Sequence, residues 1–512
     1  MQSLKGFTKF TKTTLDYRDA YAIIENAKAQ GFTFRLQTEN AGSAVAHALA
    51  HRFRNKKILF ICGTGGKGAI GLVAARHLYL EANVKVVLLG SSSAIRNETT
   101  REKYDEIKYF VDMYEIDEED LSKLKSLIAK SEVIVEAILG LGLKGLLSGF
   151  ASKVIHLIND SRKQIVSIDV PAGLNADTSM PNRATVKPDM ILVVHKMKSC
   201  LAKIEECDIL VIDVGTPPTA ELFTGPGDVM LATEPRSLHG NKYTNGSVLV
   251  LGGSAVFHGA PVLASFAARN VLAALRTGAG YVTVVAPEEI TSDISRMSPD
   301  LIVRGLDSVL GGAGISDFMR IRHDSILIGP GMNSDDIEPE TMAALINAEV
   351  KRGNTVIVDA LGIGVLAKIK SAFNRSVVLT PHDGEFAELT GKKLKNATLE
   401  ERINTAIEFT GDRKCTLVLK GHDTIITDGR LLKINEAKTP TLAKMGTGDV
   451  LSGMIAAYAS LHKDAFESAA AAVYVHSRIA DSLYPQKGLH ITPDDLIENI
   501  PSVLKEFDVI AK

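Results

Sequence analysis

The chain has 512 residues, of which 45% are hydrophobic and 23% charged, and its net charge at pH 7 is -2. That length exceeds one ordinary core and predicts two or three domains, while the near-neutral charge argues against nucleic acid or an anionic membrane as a partner. The four cysteines are scattered, which argues against a structural zinc site or a disulfide framework. No signal-peptide pattern opens the chain and no apolar run reaches the ~20 residues of a membrane span, so we expect a cytoplasmic protein.

In the first half of the chain, short β-branched runs alternate with amphipathic stretches, which predicts a parallel sheet with crossover helices. The clearest predicted helices are 72–81 and 152–159. The predicted strands, in chain order, are 57–62, 84–90, 133–139, 164–170, 190–195 and 209–214.

A segment dense in proline and glycine, TPPTAELFTGPGD, follows Gly215 and predicts a break between two folded parts. The alternation then resumes, and the last ~65 residues are mostly helical by periodicity, most clearly 465–481. We therefore expect an α/β protein with one domain over 1–222, a linker over 223–240 and a second domain over 241–512. The strands predicted in the second half are 247–251, 281–285, 325–328, 355–359, 377–380 and 416–420.

The most informative motif is Gly446-Thr447-Gly448-Asp449, which stands directly before a run of apolar residues at helical spacing. Such a small-residue turn places free backbone N–H groups at a helix N-terminus, where phosphate oxygens are stabilised. Asp449 is predicted in the first helical turn beside this anion hole, where a carboxylate can take a proton from a hydroxyl. Taken alone, the motif is equally consistent with an ordinary helix cap.

Four further segments lie at the ends of predicted strands, where parallel sheets bind their ligands. Each alone is more often a plain loop, but all of them in this order favour a nucleotide site. They are the loop that ends in His258-Gly259-Ala260-Pro261, the turn Gly329-Pro330-Gly331, the segment 379–386 with His382, and the segment 419–424 with Lys420 and Gly421.

The motifs GGSAVFHGAP, IGPGM, LTPHDGEFAELTG, LKGHDT and GTGDVLSG resemble the ADP/ATP-dependent NAD(P)H-hydrate dehydratase branch of the ribokinase-like superfamily, over about residues 240–490. The resemblance implies a ribokinase-like α/β/α domain in which Asp449 is the base, the turn amides stabilise the transferring phosphoryl group, and Mg²⁺ sits on the phosphates. It implies that the hydrated nicotinamide nucleotide meets Ala260, Gly331, His382 and Asp449. It also implies that ADP or ATP is held by Lys420, Gly421, His422, Asp423, Thr424, Gly446, Thr447 and Gly448.

The first half carries a glycine loop, CGTGGKG at 62–68, which follows a predicted strand and has the GxGxxG spacing. A dinucleotide-binding dehydrogenase needs an acidic residue near the end of the next strand to hold a ribose, and that strand ends in Gly90-Ser91-Ser92-Ser93. A Walker A loop needs Ser or Thr after its lysine, but Gly68 follows Lys67. The loop therefore fits neither class.

This half instead resembles NAD(P)H-hydrate epimerase from Thr38 to Pro217, with EAILGLG at 136–142, DVPAGLNAD at 169–177 and HKMK at 195–198 as landmarks. The resemblance implies a Rossmann-like three-layer α/β/α domain with Asp169 as the acid/base residue. It implies that the substrate is bound by Gly66, Lys67, Gly68, Ala69, Ile70, Gly140 and Asp169.

The chain departs from that family at the positions that hold a potassium ion. The family has an asparagine pair, Gly-Asp, aspartate and serine where this chain has, respectively, Gly66-Lys67, Ala69-Ile70, Glu136 and Ala172. We predict that the Lys67 ammonium, which carries the same charge as K⁺, occupies the potassium position and pairs with Glu136. The alternative is that this half has lost catalysis and serves as a structural or nucleotide-binding regulatory module, because Ile70 removes a polar contact.

Together the two halves predict a bifunctional enzyme that repairs NADHX and NADPHX. The second domain would dehydrate the S hydrate with ADP or ATP, and the first would interconvert the R and S hydrates. The alternative is a kinase for a vitamin or sugar alcohol on the same fold, which the GTGD turn alone supports equally. The expected partners are these small molecules, without nucleic acid or membrane, and the family is compatible with a homo-oligomer.

Overall fold

The computed structural model describes residues 4–140, 149–254, 260–306, 320–332, 337–369 and 371–511, without the side chains of 260–268. The chain divides into two compact units. The N-terminal unit is Lys12–Ala220, and the C-terminal unit comprises Met1–Thr11 and Glu221–Lys512. The predicted linker 223–240 includes a helix, Pro226–Ala232, and a short strand, Arg236–Ser237.

The N-terminal unit contains a seven-stranded sheet, in which every pairing is parallel and the order is β3-β2-β1-β4-β5-β6-β7. The order reverses between β1 and β4, and such a switch point is where open parallel sheets bind ligands. The strands are β1 Lys57–Cys62, β2 Asn83–Leu89, β3 Asp112–Ile116, β4 Val133–Ala137, β5 Gln164–Ile168, β6 Met190–Val194 and β7 Asp208–Ile212.

Helices cover both faces of this sheet, because its central strands are apolar along nearly their whole length. One hydrophobic cluster includes Leu49 and Leu72 on two of the helices, and another includes Leu124 and Ile155 on two others. The helices are Tyr17–Ala29, Phe34–Phe53, Gly66–Leu78, Glu98–Ile107, Leu121–Lys130 and Phe150–Asn159. The unit is therefore a three-layer α/β/α sandwich.

The C-terminal unit contains a nine-stranded sheet in the order β11-β10-β9-β12-β13-β14-β15-β16-β17. The pairings from β11 to β15 are parallel, whereas β15, β16 and β17 pair antiparallel. The strands are β9 Ser247–Leu251, β10 Tyr281–Pro287, β11 Ile302–Leu306, β12 Ser325–Ile328, β13 Thr355–Val358, β14 Val377–Leu379, β15 Thr416–Leu419, β16 Asp423–Thr427 and β17 Leu432–Glu436. A separate two-stranded sheet pairs β8 Arg236–Ser237 with β18 Ile510–Ala511.

Two hydrophobic clusters, one on each face of the second sheet, make this unit a sandwich as well. Its helices are Pro226–Ala232, Ala260–Thr277, Thr291–Ser295, Pro339–Lys351, Leu361–Ala367, Asp383–Thr390, Leu399–Arg413, Thr447–His462, Ala465–Lys487 and Pro493–Leu504, with Thr219–Leu222 at the boundary between the units. The predicted fold class, α/β with two α/β/α sandwiches, is confirmed. None of the helices in the described part of the chain combines the length and apolarity of a bilayer span.

The structure corrects several predicted boundaries. The helix predicted at 72–81 begins at Gly66 and ends at Leu78, so the second part of the glycine loop is helical. Several strands end one or two residues before the predicted position, and Asp169 and Lys420 therefore follow their strands. Both corrections concern residues with a predicted role in a site.

Candidate active sites

The N-terminal unit holds a cavity of about 610 Å³ at the carboxyl ends of its central strands. Aromatic side chains of Tyr17, Tyr21 and Phe34 form part of its wall, and the sequence prediction missed all three. The predicted residues that line the cavity are Gly66, Lys67, Ile70, Gly140 and Asp169. Gly68 and Ala69 are buried on the same helix and do not line it. Residues 141–142 of the EAILGLG motif lie outside the described residues.

The glycine loop is shaped by close approaches of backbone to backbone. A Cβ at Gly63 would lie 2.1 Å from the carbonyl oxygen of Ile138, and a Cβ at Gly68 would lie 1.9 Å from that of Gly63. The helix Gly66–Leu78 has Gly65 as its N-cap, and no side chain caps it there. Its first amides are therefore available to an anion in the cavity.

The ammonium of Lys67 is enclosed by oxygen atoms. Its Nζ donates to Glu136 Oε1 at 2.8 Å and Oε2 at 2.7 Å, to the Val170 carbonyl at 2.8 Å and to the Leu139 carbonyl at 3.2 Å. The predicted pair of Lys67 and Glu136 is thus present in the structure. Only 7% of the Lys67 side chain is exposed, so these oxygens replace its hydration shell.

Glu136 is fully buried, and its carboxylate is satisfied on all sides. Besides Lys67, it accepts hydrogen bonds from the Ile138 amide at 2.7 Å, the Ser167 hydroxyl at 2.9 Å and the Ala172 amide at 3.2 Å. Burial lowers the pKa of Lys67, and the charge of Glu136 opposes that shift. The four oxygens around Lys67 all accept from it, an arrangement that suits an ammonium with three hydrogens.

Asp169 follows β5 and has a positive φ of 57°, which turns its side chain out of the strand ladder. Its Oδ1 lies 3.0 Å from the ammonium of Lys198 and accepts from the Val194 amide at 3.2 Å. Both Asp169 and Lys198 line the cavity. A carboxylate, two ammonium groups and the free amides of a helix therefore meet at one wall of the cavity.

In the C-terminal unit, the GTGD turn has the predicted form. Gly446 is the N-cap with a φ of 89°, the helix begins at Thr447, and Asp449 lies in its first turn. No side chain caps the helix, which leaves its first amides available to phosphate oxygens. Asn270 fixes the turn by donating to the Asp449 carbonyl at 2.6 Å and to the Ser452 hydroxyl at 2.9 Å.

The environment of Asp449 makes it a base with its pKa near neutrality. Burial, together with the negative charge of Asp359, raises the pKa of Asp449 to about 7, against the opposing charges of Lys420 and Arg269. A carboxyl group with that pKa takes up a hydroxyl proton more readily than an ordinary aspartate.

The Lys420 side chain lies at the carboxyl edge of the sheet, close to residues from three other segments of this unit. Its Nζ lies 3.1 Å from Asp359 Oδ1 and 4.0 Å from Glu385 Oε2, and a Cβ at Gly448 would lie 3.4 Å from it. Burial opposes the charge of Lys420, but Asp359 and Glu385 outweigh burial and raise its pKa. Lys420 and the GTGD turn, predicted to hold the nucleotide, are thus brought together.

The other residues of the predicted nucleotide segment lie beyond Lys420. Gly421 and His422 form the exposed turn between β15 and β16, and Asp423 and Thr424 are the first residues of β16. The hydroxyl of Thr424 donates to the Gly421 carbonyl at 3.1 Å, which closes the turn. This hairpin turn is the structural form of the LKGHDT motif.

The predicted substrate residues of this unit occupy three loops. Gly331 follows β12 with a φ of 68°, in a turn whose Gly329 packs so closely that a Cβ would lie 2.0 Å from the Asp359 carbonyl oxygen. His382 caps the helix Asp383–Thr390, since its Nδ1 accepts from the amides of Gly384 and Glu385. Ala260 begins a helix, and its side chain, like His258 and Gly259, lies outside the described residues.

No group of three or more His, Cys, Asp or Glu side chains within the described ranges could hold a metal by itself. The carboxylates nearest Lys420 are those of Asp359 and Glu385, and oxygen ligands of this kind, with phosphates, are what Mg²⁺ prefers. The sequence prediction gave neither residue a role, although Asp359 ends the predicted strand 355–359 and Glu385 lies in the predicted segment 379–386. A charged side chain at or shortly after the end of a buried strand was the available indication.

The fold and the sites define a two-domain α/β enzyme of the nucleotide-binding class. Residues 248–502 match the family model described as NAD(P)H-hydrate dehydratase, and residues 37–200 match that of the YjeF-related protein N-terminus. The bifunctional NAD(P)H-hydrate repair enzyme Nnr of Pyrobaculum aerophilum is 33% identical over 96% of this chain and 97% of that protein. The Nnr of Methanothermobacter thermautotrophicus is 31% identical over 95% of this chain and 94% of that protein.

The chain belongs to the family of bifunctional NAD(P)H-hydrate repair enzymes. Among solved structures, it is similar to the ADP/ATP-dependent NAD(P)H-hydrate dehydratase from Bacillus subtilis co-crystallised with ATP/Mg²⁺. That similarity has 27% identity and a TM-score of 0.46, and it covers 55% of this chain and 96% of the other.

Proposed function

We propose that this chain repairs hydrated nicotinamide nucleotides in two steps. The C-terminal unit dehydrates the S hydrate to NADH or NADPH with ADP or ATP, and the N-terminal unit interconverts the R and S hydrates. The observation that carries the first step is the placement of Asp449, with its pKa of about 7, beside uncapped helix amides and Lys420.

In the dehydratase step, Asp449 takes the proton of the C6 hydroxyl as that oxygen attacks the terminal phosphoryl group of the nucleotide. The amides of the GTGD turn and the ammonium of Lys420 stabilise the negative charge on the transferred group. Phosphate is then a better leaving group than hydroxide. It departs with the electrons of the C6–O bond and leaves a ring iminium, and loss of a C5 proton to solvent restores the dihydropyridine ring. Mg²⁺, when bound with the phosphates, would neutralise their charge, and Asp359 and Glu385 would hold it.

The test is to mix the purified chain with hydrated NADH and either ADP or ATP while following the near-ultraviolet absorbance of the reduced nicotinamide. Recovery of that absorbance supports dehydration. Phosphorylated product that accumulates without recovery supports the alternative, a small-molecule kinase. The same assay with hydrated NADPH, and with Mg²⁺ removed by a chelator, compares the substrates and measures the metal requirement.

For the N-terminal unit, we propose that Asp169 is the acid/base residue and that the Lys67 ammonium supplies the charge for which the family uses K⁺. The cage of Glu136 and two backbone carbonyls around Lys67 supports this role, because carboxylate and carbonyl oxygens also coordinate monovalent cations. Lys67 fills the cage, so K⁺ does not fit beside it. Epimerisation by this chain is therefore expected to be independent of K⁺.

Each C6 epimer, supplied separately in buffers with and without K⁺, tests this role of Lys67. The wild-type rate should not change with K⁺, whereas Lys67→Asn, which opens the cage, should become dependent on it. Thermal unfolding adds a second measurement, because K⁺ should raise the melting temperature of Lys67→Asn only. Lys203→Asn, on the surface of the same unit, is the matched control.

A wild-type rate that rises steeply with K⁺ would refute the role of Lys67. Failure of the wild type to interconvert the epimers would instead favour the alternative that the N-terminal unit is a structural or regulatory module. We further propose a cytoplasmic protein that acts on small molecules without nucleic acid or membrane, which the net charge of -2 supports. Assembly into a homo-oligomer stays a prediction.

A further inference from the structure

The ammonium group of Lys198 is buried in the protein and contacts three oxygen atoms there. Its Nζ lies 3.0 Å from Asp169 Oδ1 and donates to the carbonyls of Val194 at 2.6 Å and Lys196 at 3.0 Å. The two carbonyls accept two of the three ammonium hydrogens, and the ammonium forms an ion pair with Asp169. Only 4% of the Lys198 side chain is exposed, so these oxygens, rather than bulk water, surround most of its charge.

The segment that carries Lys198 is fixed on two sides. It follows β6 directly, and it also pairs with the chain ahead of the helix Tyr17–Ala29. There the Leu15 amide donates to the Met197 carbonyl at 2.9 Å, and the Ser199 amide donates to the Leu15 carbonyl at 2.9 Å. These bonds hold the Lys198 backbone on both sides of the side chain, so the ammonium has a defined position.

The two oxygens of Asp169 differ as a result. Oδ1 is held by Lys198 and by the Val194 amide, whereas Oδ2 has no hydrogen-bond partner in the part of the chain that the structure describes. Asp169 lines the cavity, so Oδ2 is the carboxylate atom left for a ligand. Fixing one oxygen of a carboxylate restricts rotation of the group and thereby orients the other.

We propose that Lys198 is a positioning residue for epimerisation, which holds Oδ1 of Asp169 so that Oδ2 can move the proton of the substrate C6 hydroxyl. As Oδ2 takes this proton, the C6–N1 bond breaks with its electrons on the ring nitrogen, and C6 becomes an open aldehyde. The nitrogen then attacks the other face of the aldehyde carbon and Oδ2 returns the proton to the oxygen, so no proton is gained or lost over the cycle. The inference depends on the proposed epimerase function and assigns the two lysines different tasks. Lys67 neutralises Glu136 in the cage, whereas Lys198 orients the carboxylate that reacts.

The experiment compares Lys198→Met, Lys198→Arg and the surface control Lys203→Met in the full-length chain. The R hydrate is supplied with ADP and an excess of the Asp169→Asn chain, whose dehydratase unit is intact, so that epimerisation limits the rate. Lys198→Met should lower kcat about 100-fold and leave KM within about threefold, because a misplaced reacting group costs about that much. The kcat of Lys198→Arg should be at least about tenfold higher than that of Lys198→Met, since a guanidinium can also pair with a carboxylate.

Two further measurements separate positioning from a general structural role. In the Asp169→Asn background, Lys198→Met should produce no additional loss of the residual rate. Dehydration of the S hydrate, measured in the same chain, should stay at the wild-type rate. The inference is overturned if Lys198→Met retains kcat, if the loss lies in KM alone, or if Lys198→Arg fails to rescue. If the wild-type chain itself does not epimerise, the proposed function has failed, and that result is distinct from a failure of Lys198.

Discussion

The two units differ in the balance of cationic and carboxylate side chains at their candidate sites. In the N-terminal site, each of the two buried ammonium groups is paired with a carboxylate: Lys67 with Glu136, and Lys198 with Asp169. In the C-terminal unit, Lys420 faces Asp359 at 3.1 Å, Glu385 at 4.0 Å and the nearby charge of Asp449. The first site is balanced by its own residues, whereas the second carries an excess of carboxylate.

This difference matches the chemistry proposed for each unit. Moving one proton on the C6 hydroxyl of the hydrated nicotinamide ring changes the charge of the site very little, so a balanced and rigid arrangement suffices. The proposed phosphoryl transfer would bring several charges and a divalent cation into the site, and excess carboxylates would accommodate that cation. Burial raises the pKa of Asp449 to about 7, and the like charge of Asp359 adds to that shift, so a carboxylate that would hold the cation also tunes the base.

The largest expected effect follows from removing the base. Asp449→Asn should lower the kcat of dehydration by about 10³-fold, because the amide cannot take the hydroxyl proton. ADP binding, measured by calorimetry, should not weaken, since the turn amides and Lys420 remain. Epimerisation by the N-terminal unit should be unchanged, and the exposed Asp412→Asn is the control. Intact turnover in Asp449→Asn would contradict the assignment of the base.

The second prediction tests the balance of the N-terminal site. Lys67→Met or Glu136→Gln alone should destabilise this unit by about 3 kcal/mol, because each leaves a buried group without its partner. The double variant should lose clearly less unfolding free energy than the two single variants together, and a double-mutant cycle would measure this difference. Hydrogen exchange of peptides from β4 and β5 measures the effect within this unit.

Peptides from β13 and β15 in the C-terminal unit provide an internal control, since they should exchange at the wild-type rate. Additive losses in the double variant would mean that Lys67 and Glu136 act independently. In that case the two sites would not differ in charge balance in the way described above.

The sequence predicted the central strands of both sheets well for a physical reason. The predicted strands 57–62, 247–251 and 325–328 coincide with β1, β9 and β12. Strands buried on both faces are continuous apolar runs, which a pattern reveals directly. The edge strands β3 and β11 were missed, because they are partly exposed and so lack such a run. The antiparallel strands β16 and β17 were missed as well.

The sites were predicted in part. The pair of Lys67 and Glu136 could be inferred, because a lysine gained in one motif and a carboxylate in another suggested compensation. The grouping of Asp359, Glu385 and Lys420 could not, because it depends on β13, β14 and β15 being neighbours in the sheet. The helix Tyr17–Ala29, which lines the cavity, was missed although Asp16 and Asp19 form a capping box at its start.

The third prediction concerns the pH dependence of dehydration. Because Asp449 must be ionised to accept a proton and burial raises its pKa to about 7, kcat/KM should rise with pH and level off above neutrality. One pH unit below that pKa, the rate should be about tenfold lower than on the plateau. Asp359→Asn removes a like charge and should move the rise to lower pH. A plateau that already begins at pH 5 would show that Asp449 is not the group that titrates.

The smallest expected effect contrasts the pH dependence of stability in the two units. In the C-terminal unit, His462 lies between Glu467 at 2.6 Å and Glu234 at 2.8 Å. Burial opposes its charge, but these hydrogen bonds outweigh burial and raise the pKa of His462. A histidine whose pKa is higher in the folded chain stabilises the fold, and this stabilisation is complete below its pKa in the unfolded chain, about 6.5. The stabilisation is lost as the pH rises through the pKa in the folded chain. We expect a loss of about 1 kcal/mol above neutrality.

The N-terminal unit should respond at the opposite end of the pH scale. Burial opposes the charge of Glu39, yet Lys103, His77 and Arg76 lower its pKa to about 2. Its contribution is present above the unfolded value of about 4.3 and is lost only as pH falls toward 2, so it does not change between pH 6 and 8.5. Hydroxide catalyses amide exchange, so the two pH values are compared by protection factors, from which the intrinsic rate has been divided out. Between pH 6 and 8.5 the protection factors should fall in the C-terminal unit only, and His462→Gln should abolish the difference. An equal fall in both units, or in His462→Gln, would assign the effect to general charge rather than to this histidine.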